Sequence, residues 1–102
     1  MILPHRYLPG AQTDLFESVQ YYESREVGLG GRFLDEIEVA LAEICEHPNR
    51  YPAENRRVRK HTTRHFPYGI YYTVAQEKVF ILAIGDLRRK PRWWKSRLTD
   101  LR

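Results

Sequence analysis

The chain carries two runs of cationic side chains whose chemistry is anion recognition. Arg56, Arg57, Arg59, Lys60 and Arg64 form the first; Arg88, Arg89, Lys90, Arg92, Lys95 and Arg97 form the second, with Trp93 and Trp94 set inside it. Arginine's planar fork pairs bidentately with phosphate or carboxylate and keeps its charge at any working pH. A tyrosine or tryptophan exposed beside such forks can stack a nucleobase, at roughly 1–3 kcal/mol per base. The same rings have a plainer use. Tyr68 and Tyr72 would then be core on one face of a strand, and Trp93 and Trp94 would pin a last helix onto a sheet. His61 and His65 flank the first run and could act as a base, or they are passengers of a basic strand.

Other chemistries are missing. The sequence holds no glycine-rich phosphate loop, HExxH, CxxC or GxSxG. Its four histidines, His5, His47, His61 and His65, are not spaced as a metal set. Ser18 and Ser24 fall in or near a helical stretch and Ser96 in the basic terminus, which gives a serine triad no local support. Any catalysis would be independent of metal and cofactor, resting on arginine, lysine, histidine and carboxylates.

The charge is unevenly divided. Residues 1–47 hold nine acids and three basic residues, whereas residues 48–102 hold four acids and fourteen basic ones. No acid stands between Glu54 and Glu77, nor between Asp86 and Asp100. Such asymmetry points to contact with nucleic acid or an acidic protein, with a dipolar protein of solvated acidic helices as the alternative. A length of 102 residues suits one domain spanning 1–102. Cys45 is the only cysteine, so an internal disulfide is excluded and a reducing cytoplasm is expected. The longest apolar run, Val79 to Ile84, is too short to cross a bilayer, and MILPHRYLPG does not read as a signal peptide.

The positioning elements follow from periodicity. Ile2 to Leu8 alternates weakly and reads as an edge strand ending at Pro9-Gly10. Leu15, Val19 and Tyr22 recur at helical spacing within 11–24, and Asp14 with Glu17 resembles a capping box. Three glycines in Val27 to Gly31 predict a hinge. A second helix is expected over Arg32 to Glu46, with Phe33, Ile37, Ala40, Leu41 and Ile44 as its stripe and His47-Pro48 as its stop. Cys45 flanks that stripe as a small core residue. Arg56 to Thr63 reads as a basic edge strand. Phe66 to Ala75 alternates, a turn falls near Gln76-Glu77, and Lys78 to Gly85 is apolar on both faces, hence central. Pro91 suits the first turn of a short final helix carrying Trp93 and Trp94.

In this order and spacing the chain resembles the RelE/ParE superfamily of type II toxins. The features are Ala11-x-x-Asp14-Leu15 with Tyr21-Tyr22, Gly31-Arg32-Phe33, His47-Pro48, the strand from Arg64 through Phe66-Pro67-Tyr68 to Ile70-Tyr71-Tyr72, and Ile81 to Ile84 leading to Arg88-Arg89-x-Pro91-x-x-Trp94. The resemblance implies an α+β fold, β-α-α-β-β-β, with a helical hairpin packed on a curved, mainly antiparallel sheet. The element order read from periodicity is the same.

The resemblance also implies a growth-arresting bacterial toxin neutralised by a cognate antitoxin, with no cofactor. The oligomeric state stays open, a heterotetramer or larger with the antitoxin included. RelE-like members are ribosome-dependent messenger-RNA endonucleases, and Lys60, Arg64 and Arg89 match that basic site. ParE-like members inhibit DNA gyrase by binding. Nucleases of the first kind often place tyrosine or histidine after the last strand, where this chain has Trp93 and Trp94. An indole donates one hydrogen bond and shuttles no proton near neutral pH. Asp86 stands where many ParE-type relatives have histidine, yet the RRxPxxW ending is ParE-like. Gyrase binding is therefore the expected activity, through Arg56, Arg57, Arg59, Arg88, Arg89, Lys90, Arg92, Trp93 and Trp94. A ribosome-dependent nuclease is the alternative, and a non-toxic basic nucleic-acid-binding module is a third reading.

Overall fold

The computed structural model describes residues 1–101. A three-residue strand β1 (His5–Tyr7) leads into helices α1 (Pro9–Arg25) and α2 (Leu29–Glu46). Strands β2 (Arg59–Thr62), β3 (Tyr68–Ala75) and β4 (Lys78–Asp86) follow, and a 3-10 helix, Lys95–Leu101, ends the chain. The sheet order is β1-β4-β3-β2, with β1 parallel to β4 and the other pairs antiparallel. This is the expected α+β architecture, with the basic strand at one edge and β4 inside.

Both helices begin earlier than periodicity suggests. Pro9 does not end the strand but opens α1, since its fixed φ suits the first turn and its missing N–H costs nothing there. Asp14 therefore lies inside the helix, and the expected capping box does not form. At the hinge, Gly28 has φ +90°, the left-handed N-cap of α2. Gly30 belongs to α2 itself: a Cβ there would stand 2.6 Å from the Val19 carbonyl oxygen, so this glycine lets the two helices touch.

The sheet is covered on both faces. On one, Phe33, Ile37 and Ile44 of α2 pack against Ile70, Tyr72, Val79, Ile81 and Ile84. On the other, Leu8, Val58, Tyr71, Leu82, Ala83 and Trp94 form a second core closed by the C-terminal segment. β4 serves both by the alternation of its side chains, which a β-bulge shifts in mid-strand: Tyr71 faces Ala83 and Tyr72 faces Ile81, leaving Leu82 unpaired. Arg97 reaches across to that point. Its Nη1 donates to the Leu82 carbonyl at 3.1 Å and to Asp14 Oδ2 at 3.0 Å, and the same Oδ2 accepts the Ile84 N–H at 3.0 Å. One ion pair thereby joins α1, the bulge and the C-terminal segment.

The β3–β4 turn falls where expected, with Gln76 and Glu77 at φ +54° and +58°, the twist of a two-residue hairpin turn. The end of the chain differs. The short helix does not carry the tryptophans: Arg92 takes φ +62°, Pro91 to Trp94 form turns, and the 3-10 helix starts only at Lys95.

Candidate target-binding surface

The strand register decides which basic residues meet. Lys60 pairs with Tyr71, so its side chain lies on the sheet face away from the helices. Its Nζ is 5.9 Å from the Tyr71 ring centroid. Tyr71 meets Trp93 edge-on at 5.7 Å, and the Arg89 guanidinium stacks on Trp93 at 3.6 Å. Lys60, Tyr71, Trp93 and Arg89 thus form one chain of cation–ring and ring–ring contacts across this face.

The two tryptophans differ. Trp94 is buried and stacked on Tyr71 at 5.5 Å, which makes it a core residue with no surface to offer a target. Trp93 is half-buried against Gly85, where a Cβ would stand 2.2 Å from its Cζ2. Its Nε1–H is buried and meets no acceptor with hydrogen-bond geometry. Burial pushes the Tyr71 hydroxyl above its usual range; Trp93 and Arg89 oppose that rise and Glu54, 3.9 Å from Lys60 Nζ, adds to it.

Arg64 does not join Lys60 and Arg89. Its Nη2 pairs with Glu43 of α2 at 2.7 Å, on the helix side. His61 follows it there, with Nε2 2.9 Å from Glu43 Oε1 and its ring stacked on Tyr51 at 3.7 Å. The His65 Nδ1 lies 2.8 Å from Glu36 Oε1, while the His65 and Phe66 backbone N–H groups both donate to Glu36 Oε2. The His61 hydrogen bond, joined by Arg64, holds the Glu43 carboxyl below its usual range. Burial alone would raise Glu36, but those two N–H groups and His65 outweigh it and hold the carboxyl down. Both histidines are fastened to helix carboxylates.

The second basic run is unequal too. Arg88 spends its fork on Asp86, with Nε to Oδ1 at 2.9 Å and Nη2 to Oδ2 at 2.6 Å. This pairing holds the Asp86 carboxyl below its usual range. Lys90 and Arg92 are exposed, and neither is ion-paired among the described residues. Arg56, Arg57 and Arg59 instead line a cavity by the β3–β4 turn, at the opposite end of β4. The two runs do not converge as wholes; only Lys60 and Arg89 share one site. Tyr71, at the centre of that site, was not singled out by sequence reasoning beyond its place on a strand face. Its position opposite Lys60 depends on a register that sequence does not reveal.

Among the described residues, no helix is long and apolar enough to cross a membrane, and no three His, Cys, Asp or Glu side chains gather as a metal ion would need.

Comparison with known proteins places this arrangement. Among solved structures, the chain is similar to one described as a chromosomal ParDE TA system from P. aeruginosa, with a TM-score of 0.72 and 18% identity. The match covers 85% of this chain and 98% of that one, and at such identity it speaks for the fold. No curated protein sequence matches. The family model for the ParE toxin of the type II toxin–antitoxin system parDE matches residues 6–91, from β1 through the arginine run to Pro91. With the fold in agreement and the match spanning most of its length, the chain belongs to the ParE toxin family of type II toxin–antitoxin systems.

Proposed function

We propose that this ParE-type toxin arrests growth by binding DNA gyrase, and that a cognate antitoxin neutralises it by covering its basic surface. The observation that carries the reading is what stands beside Lys60 and Arg89. Trp93, a donor-only indole, is wedged between Gly85 and the Arg89 guanidinium. Arg64, His61 and His65 are committed to Glu43 and Glu36. Lys60 and Arg89 remain to bind and orient an anionic surface, and the one carboxylate beside them, Glu54, is itself 3.9 Å from Lys60 Nζ.

One observation favours the second reading, a ribosome-dependent nuclease. Lys60 and Arg89 do lie on one face with the Tyr71 hydroxyl, and two cations can stabilise charge on a scissile phosphate. The readings separate experimentally. On the leading one, induced expression blocks supercoiling while messages stay intact, and Arg89→Ala with Arg92→Ala relieves the arrest. Cleavage of translated messages that disappears with Lys60→Ala would decide for the nuclease.

For the antitoxin, the excess of basic over acidic residues after residue 47 favours an acidic segment studded with apolar side chains. Hydrogen exchange on the complex tests this: protection over Arg56–Lys60 or Arg88–Trp93 is expected, and unchanged exchange in both would refute it.

A further inference from the structure

The basic run that does not reach the Lys60–Arg89 site has a site of its own. Beside the β3–β4 turn lies a cavity of about 650 Å³, walled by Arg6 of β1, Arg56 and Arg57 of the preceding loop, Arg59 of β2 and Lys78 of β4. None of these five cations is ion-paired among the described residues, and the one carboxylate on the wall is Asp100. Among the described residues, Arg59 alone of the five has a protein partner for its head group, the Tyr51 carbonyl at 2.7 Å. Five like charges with a single carboxylate among them repel one another, and an anion in the cavity relieves that repulsion.

We propose that this cavity holds the phosphate groups of a single nucleic-acid strand, separately from the surface assigned above to the toxin's target. The five cations, four of them arginines, come from four different segments around the cavity, not from one strand edge. A planar carboxylate is satisfied by one fork. Phosphate oxygens diverge and take donors from several directions, and Arg6, Arg56, Arg57 and Lys78 reach the wall from three separate segments of the chain. A peptide bound along a free strand edge would draw its affinity from main-chain pairing, and this ring of side chains offers no such ladder. Phe80, half-buried on the wall, adds a ring for a base or sugar to rest on. The inference goes beyond gyrase binding and holds whether the target is gyrase or not.

Fluorescence anisotropy of the purified chain with labelled 12-nucleotide DNA and RNA strands of one sequence tests it. With about four phosphates engaged, affinity falls roughly 50-fold between 50 and 200 mM salt. Arg57→Glu with Lys78→Glu, both exposed positions, weakens binding at least tenfold, whereas Lys90→Glu with Arg92→Glu at the far end changes it less than threefold. Circular dichroism checks that each variant folds, and Arg56→Ala with Arg57→Ala replaces the charge reversal if it does not. The DNA-to-RNA ratio tells which nucleic acid fills the site. No binding at 50 mM salt, equal binding by the cavity variant, or tighter binding of a glutamate-rich peptide of equal charge than of the strand would each overturn the proposal, the last by giving the cavity to an acidic protein.

Discussion

At the scale of single residues, two contacts decide the shape of the candidate surface. The Asp14 side chain is 9% exposed and that of Arg97 23%, so removing the guanidinium strands a nearly buried carboxylate and leaves the Leu82 carbonyl without its donor. Breaking such a pair costs about 3–5 kcal/mol when it is fully buried and less when one partner is partly wet. Arg97→Ala is expected to lose about 2–3 kcal/mol, read as a fall in Tm of roughly 10–20 °C by thermal denaturation. At Gly85 an added methyl group meets the Trp93 ring, so Gly85→Ala displaces the indole from Arg89. A destabilisation of about 1–3 kcal/mol and a red shift of tryptophan fluorescence are the expected readouts. Neither contact was legible in the sequence. Asp14 and Arg97 lie 83 residues apart, and Asp14 followed by Glu17 imitates a capping box. Which of two adjacent tryptophans is buried depends on residues distant in sequence, Tyr71 stacked on Trp94 and Gly85 against Trp93.

At the scale of elements, the connection from β2 to β3 is held to α2 by two carboxylates. Glu36 and Glu43 both have carboxyl groups below the usual 4.5 in the folded chain. A depressed folded value means the unfolded chain takes up protons first as the pH falls. The stabilisation is therefore complete above about pH 4.5 and is lost as the pH drops from there through the lower folded values. Urea denaturation at pH 7 and at successive steps below pH 5 should show this decline. Glu36→Gln is expected to cost about 1–3 kcal/mol at pH 7 and to flatten the acid limb; an unchanged limb would remove Glu36 from the account. Helices, hairpin and turn were legible because their periods of 3.6 and 2 extend over many residues, as with Phe33, Ile37, Leu41 and Ile44. The bulge at Leu82 and the left-handed Arg92 were not, because each is one residue imposed by packing on either side of it. Pro91 does signal a turn, and Arg92 prevents that turn from becoming a helix through Trp93 and Trp94.

At the scale of the molecule, acids gathered on the helices face cations gathered on the sheet and its C-terminal extension, and four contacts between the two sets consume Arg64, His61, His65 and Arg97. The cations left over define where the protein can act. Their division between the Lys60–Arg89 surface and the cavity near Lys78 was hidden in the sequence, which shows two runs and not the strand ends that part them. An acidic antitoxin should associate faster at low salt, with the rate falling steeply as ionic strength rises. Stopped-flow mixing at 50 and 300 mM salt measures it, and a rate indifferent to salt would argue against steering by this surface. On the proposed function, Lys60 and Arg89 bind a target without cutting RNA. The most direct test assays gyrase supercoiling and message integrity in parallel, using micromolar purified chain and a translating extract. The account predicts that supercoiling is inhibited and restored by Arg89→Ala with Arg92→Ala, while messages remain whole. Active gyrase beside messages cleaved by the wild-type chain and spared by Lys60→Ala would contradict it.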